Sequence, residues 1–144
     1  MGTRSKTSFI KKVEDKQVHL VSIYQQYDGY ISGVGHEIAD YILNKELVNG
    51  IPLSHNESNI ANGFDCLVAQ FIRDFKKDVG GLYITTEDNI QEYNYDIIFD
   101  NDLYFSDTHV DYEINNYIKV KVTDWNKQII FEGTLKELLE FEEE

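Results

Sequence analysis

The sequence predicts an α+β domain: an antiparallel sheet of about five or six strands with two or three helices packed on one face. Three observations carry this. Short segments such as Tyr93 to Asp100 and Ile118 to Thr123 alternate apolar and polar side chains at period two, the signature of a strand with one buried face. Other segments repeat apolar residues every three or four positions, as amphipathic helices do. Ten Tyr and eight Phe against a single Pro favour strand-rich structure with aromatic packing. A length of 144 residues, 42% of them hydrophobic, suits one domain spanning 1–144 with a core of its own.

Taken in order, Ser8 to Val13 and Val18 to Tyr24 form a hairpin across Glu14-Asp15-Lys16. Ile38, Tyr41 and Ile42 give a short helix over about 35 to 45, broken by Asn49-Gly50 and Pro52 and followed by a polar loop from Ser54 to Asn59. Phe64, Leu67, Val68, Phe71, Ile72 and Phe75 make one apolar helical stripe, with Gly80-Gly81 expected to end that helix. Leu82 to Thr86 reads as a strand, and Tyr93, Tyr95, Ile97 and Phe99 as the buried face of another, with Asn94, Asp96 and Asp100 on its wet face. Ile118, Val120 and Val122 continue the sheet, and a tight turn near Trp125-Asn126 returns through Ile129 and Phe131. Thr134 and Glu137 form a capping-box pattern before a closing helix carrying Leu135, Leu138 and Leu139.

The net charge of −13 is unevenly placed. Residues 1–86 hold nine basic and ten acidic side chains, whereas 87–116 hold nine acids and no Lys or Arg. Such a field repels nucleic acid and favours a basic protein partner, with Glu92, Asp96, Asp100, Asp102, Asp107 and Asp111 as the docking residues. One cysteine excludes an internal disulfide, and no apolar run approaches the length of a membrane span. A cytoplasmic protein that needs no cofactor and meets no membrane is expected.

Three segments could carry chemistry. The loop from Gln25 to Glu37 joins a strand to a helix and contains Gly29, Gly33 and Gly35. A glycine-rich turn at a helix start can offer backbone N–H groups to a phosphate or carboxylate, with Tyr27 and Tyr30 stacking on a base and Asp28 and Ser32 as polar contacts. It lacks the Gly-Lys-Ser/Thr of a phosphate-binding P-loop and the spacing of a dinucleotide fingerprint, so a turn built for packing is the competing reading. Cys66 falls in the first turn of a helix, where the dipole stabilises a thiolate. With His109 as base it loosely resembles the papain-like peptidases that trim bacterial cell-wall peptides, but Leu67-Val68 replaces the small pair those enzymes carry after the cysteine. Asp107, His109 and Asp111 share a face if extended, yet offer too few ligands for a metal site, and none is assigned. His19 and His55 receive no role.

Met1-Gly2-Thr3-Arg4-Ser5, then Tyr24-Gln25-Gln26-Tyr27-Asp28-Gly29-Tyr30 with Ser32-Gly33 and Gly35, then Asn62-Gly63, Cys66 to Gln70 and Val79 to Tyr83, resemble a family of small uncharacterised bacteriophage and prophage proteins. The chain departs from that pattern at Ile31, where proline is usual, and Val34, where histidine is usual. The resemblance implies phage origin and no specific activity. By analogy with other small acidic phage proteins, the expectation is a non-catalytic antagonist of a host defence system, docking by its acidic face onto a basic host protein in the host cytoplasm. The alternatives are a sponge for a small nucleotide signal at the Gly-rich loop, and a cysteine hydrolase using Cys66 and His109.

Overall fold

A computed structural model of the chain describes residues 2–48, 59–106 and 113–143. The expected breaker residues 49, 50 and 52, the loop over 54–58, His55, Asp107, Thr108, His109 and Asp111 lie outside the described residues.

The α+β class holds, with four α-helices among the described residues and a mixed sheet. Strands β1 (Ser5–Val13) and β2 (Lys16–Gln25) pair as the expected hairpin. Glu14 and Asp15 take positive φ angles of 51° and 63° in a two-residue turn, the combination that matches the twist of the strands it joins. A π-helical turn over Ile31–Gly35 runs directly into helix α1 (His36–Leu43). Two three-residue strands not anticipated from sequence, β3 (Glu46–Val48) and β4 (Ile60–Asn62), pair in parallel as a separate ribbon. Helix α2 (Gly63–Phe75) follows, then β5 (Leu82–Thr85), β6 (Tyr93–Asp100), the helical turn α3 (Asn101–Tyr104), β7 (Ile118–Asp124), β8 (Ile129–Gly133) and α4 (Leu135–Glu140). The main sheet has the order β5-β2-β1-β6-β7-β8.

Four of its five pairings are antiparallel; β1 and β6 run parallel. The reason is the path between them. After β5 at one edge of the sheet, residues 86–92 cross over β2 and β1, so β6 enters on the far side of β1 in the same direction. Alternation along a strand sets which face is buried but not which way its neighbour runs.

That crossing corrects a second expectation. The outward face of β6 is not wet: Asn94 is only 6% exposed, and Asp96 is partly buried. Segment 86–92 is fastened onto this face, with the Lys6 ammonium donating to the Glu87 carbonyl, Asn89 donating to Thr85 Oγ1 and the Gln91 amide donating to Asn94 Oδ1. A third correction concerns α2. It ends at Phe75, whose successor Lys76 is extended, while Gly81 (φ +83°) shapes the turn into β5 instead.

Phe9, Ile23, Tyr95, Ile97, Phe99, Val120 and Val122 on the inner sheet face meet Ile38, Ile42, Phe64, Leu67, Phe71, Leu135 and Leu138 from the helices. Phe64 stacks on Phe99 at 4.8 Å and Phe71 meets Phe9 edge-on at 5.3 Å, which locks α2 to the sheet centre. The capping box at Thr134 forms as expected: Thr134 Oγ1 accepts from the Glu137 amide, and Glu137 Oε1 accepts from the Thr134 amide.

Candidate functional site

The Gly-rich loop is built for close packing. A Cβ at Gly29 would lie 2.8 Å from Ser5 Cβ, and one at Gly33 only 2.2 Å from the Asp28 carbonyl oxygen. Gly35 lies against the ring of Tyr95. The Tyr95 hydroxyl, fully buried, donates to the Gly29 carbonyl at 2.6 Å and so ties the loop to the middle of the sheet. Burial, with the Glu143 carboxylate nearby, pushes the Tyr95 phenol far above its usual pKa, so it remains a donor.

Four of the N–H groups that could hold an anion are already engaged. Gly29 donates to Thr3 O, Gly33 to Tyr30 O, and Val34 to Asp28 O. The Ile31 amide donates to Glu143 Oε1 at 2.8 Å, while Glu143 Oε2 accepts from Tyr93 at 2.7 Å. A carboxylate from the C-terminal segment therefore sits where an external phosphate was expected. The same segment is held by His36 Nε2 bonded to Phe141 O and by Phe141 packed edge-on against Phe131.

Beside the loop lies a cleft of about 450 Å³. Tyr27 and Asp28 line it; Ser32 and Tyr30 are exposed outside it, with the Tyr30 hydroxyl donating to Asp28 Oδ1. The other walls come from residues to which the sequence assigned no binding role: Glu37, Asp40 and Tyr41 of α1, Asp74 and Phe75 at the end of α2, and Lys77 and Asp78 beyond it. Among the described lining residues five carboxylates thus face the Lys77 ammonium, with Lys45 Nζ over the Tyr41 ring at 4.8 Å and Arg73 bonded to Asp74 behind them. The spacing 37, 40, 41 places three of these residues on one helical face, a signal present in the sequence.

Asp74 is the anchored member. Arg73 Nε and the Tyr41 hydroxyl both donate to it, at 2.8 and 2.6 Å, and together hold its pKa down to about 2. Glu37 and Asp78 are exposed and have no hydrogen-bond or ion-pair partner among the described residues. Among the described residues no three His, Cys, Asp or Glu side chains converge closely enough for a metal ion, so the carboxylates of the cleft are spread out. An extended cation suits them better than a point charge.

The acids of the later strands are placed differently from the expected continuous face. Asp96 lies among Lys6, Lys121 and His19, and burial pushes its carboxyl pKa up despite them. Asp100 caps α3 by accepting from the Leu103 amide and stands 3.9 Å from Lys12. Asp102 accepts from the Glu14 amide and Glu92 from the Arg4 amide. Cations from β1 therefore fold over into the segment that has none of its own.

Cys66 is half-buried against the core, and its expected partner His109 lies outside the described residues. His19, given no role from sequence, bonds through Nε2 to Ser22 Oγ at 2.7 Å, and Ser22 to Ser8 at 2.6 Å. Both serines are buried in the sheet, so this base–hydroxyl chain has no substrate access and serves to fasten β1 to β2. No helix among the described residues is long and apolar enough to cross a membrane. The chain matches no protein-family model, no curated protein and no solved structure.

Proposed function

We propose that the chain is a non-catalytic binding protein whose cleft beside the Gly-rich loop takes a basic segment of a partner protein. The observation that carries this is the lining of that cleft: Asp28, Glu37, Asp40, Asp74 and Asp78 with Tyr27 and with Tyr41, whose ring already carries the Lys45 ammonium, against Lys77 as the one cation among the described lining residues. Carboxylates with one aromatic wall attract lysine and arginine and repel phosphate. The reading keeps the basic partner expected from the overall charge and moves the contact from the later strands to the helical layer. It argues against the nucleotide sponge, since the Gly29, Ile31, Gly33 and Val34 N–H donors are engaged within the chain. The resemblance to phage proteins extends the proposal to an antagonist of a host defence system acting in the host cytoplasm, with a basic host protein as the target.

The test is calorimetry with a lysine- and arginine-rich peptide in low and moderate salt. Glu37→Lys with Asp78→Lys should weaken binding about tenfold, as expected for reversing two exposed charges. A control matched in net charge, Glu140→Lys with Glu142→Lys, should weaken it far less. Equal losses in both variants would reduce the binding to non-specific charge attraction. A larger loss on reversing Asp96, Asp100 and Asp102 would return the contact to the later strands.

A further inference from the structure

A second concavity, distinct from the cleft, opens where the start of β6, the β7–β8 turn and the C-terminal segment meet. It holds about 480 Å³ and is lined by Trp125, Tyr93, Ile130 and Phe141 with the carboxylates of Glu92, Asp124 and Glu143; among the described residues no Lys or Arg lines it. Most of these groups are committed. Tyr93 donates to Glu143, Phe141 packs on Phe131, and Asp124 Oδ1 accepts from the amides of Asn126 and Gln128 to hold the turn. Trp125 is not. It is 62% exposed, and among the described residues its ring has no aromatic or cationic neighbour and its indole N–H no acceptor.

We infer that this groove is a docking site for an arginine or lysine side chain of a partner protein, stacked on Trp125 and faced by Glu92 and Asp124. Tryptophan has the strongest cation–π face of the natural side chains, and the attraction grows when the cation leaves water. The three carboxylates supply charge complementarity to the same cation and exclude the phosphate that a base stacked on Trp125 would bring. A purely apolar segment would strand those carboxylates away from water, at a cost its burial does not offset. An arginine satisfies both parts of the groove, offering its planar face to the indole and its N–H groups to the acids. The inference does not require the acidic cleft to be occupied, and a partner reaching both would gain from bivalent attachment.

Trp125 is the only tryptophan of the chain, so its emission reports on the groove directly. The full chain is titrated with a capped Arg-Gly-Arg peptide and with capped Glu-Gly-Glu. The expected result is a saturable change in emission with the arginine peptide alone. Glu92→Lys should weaken it about fivefold while moving the urea midpoint little, because Glu92 is exposed and the hydrogen bond it accepts from the Arg4 amide is long, at 3.4 Å. By calorimetry, Trp125→Leu should lose the groove's share of binding. The double variant Glu37→Lys, Asp78→Lys should leave the tryptophan response intact, which separates this site from the cleft. Three results would overturn the inference: no emission change, an equal change with the glutamate peptide, or emission that depends on protein concentration alone, which would make the occupant a second copy of the chain.

Discussion

Replacing Tyr95 by phenylalanine isolates the link between the sheet and the Gly-rich loop. The ring is fully buried, and its hydroxyl donates a 2.6 Å hydrogen bond to the Gly29 carbonyl while also accepting from the Gly35 backbone. Phenylalanine keeps the ring and its packing, so no cavity of consequence is left. The loss has two parts: the net worth of the bond, about 1 kcal/mol, and the desolvation of a buried carbonyl left without that donor, about 1–3 kcal/mol, of which part is recovered by relaxation. A total of about 2 kcal/mol is expected. With a denaturant slope of about 2 kcal/mol per molar urea for a domain of this size, the midpoint should fall by about 1 M. Urea titration followed by circular dichroism measures it. Tyr24→Phe, whose hydroxyl has no partner among the described residues, serves as control and should stay within about 0.5 kcal/mol of the parent. Equal midpoints for Tyr95→Phe and the parent would show that the bond does not anchor the loop, and the account of its glycines would lose its main support.

Other perturbations probe neighbouring parts of the same construction. Glu143→Ala removes the carboxylate that accepts from the Ile31 amide and Tyr93, and should speed hydrogen exchange at Ile31 about tenfold or more, read by NMR with the Gly33 amide as internal reference. Thr134→Ala deletes the capping box of α4 and should cost about 1 kcal/mol in urea titration. Burial and the Glu143 carboxylate raise the Tyr93 phenol to about 12, and Tyr41 and Tyr95 are raised as well. A phenol whose folded pKa lies above its unfolded value of about 10 contributes stability that is complete below that pH and lost as pH climbs through the folded value. The thermal midpoint should therefore fall between about pH 10 and pH 12, and Tyr93→Phe should flatten that fall.

Much of the fold was legible because it depends on local patterning. The spacing of Phe64, Leu67, Val68 and Phe71 yields α2, the alternation of Ile118, Val120 and Val122 yields β7, and Thr134 with Glu137 marks the start of α4. Helix ends were less legible where the stop signal was remote. Gly80-Gly81 is a strong turn signal, but α2 had already ended five residues earlier, where the chain must swing back toward the edge of the sheet. The site was half legible. Tyr27 and Asp28 were singled out and do line the cleft, whereas Glu37 with Asp40 and Asp74 with Asp78 come from two separate stretches that only packing brings together.

By itself the sequence determined the apolar core, the main helices and the strands of the large sheet, and that the protein carries an excess of negative charge. Those are properties of side-chain type and periodicity, set within a few residues of each position. Tertiary structure alone decided where the charge acts. Lys6 and Lys12 lie on β1, nearly ninety residues from the acids they neutralise, and reach Asp96 and Asp100 only because β6 inserts beside β1. Glu143 closes the Gly-rich loop from the other end of the chain. Coulomb energy depends on distance through space, and the order of strands in the sheet fixes that distance.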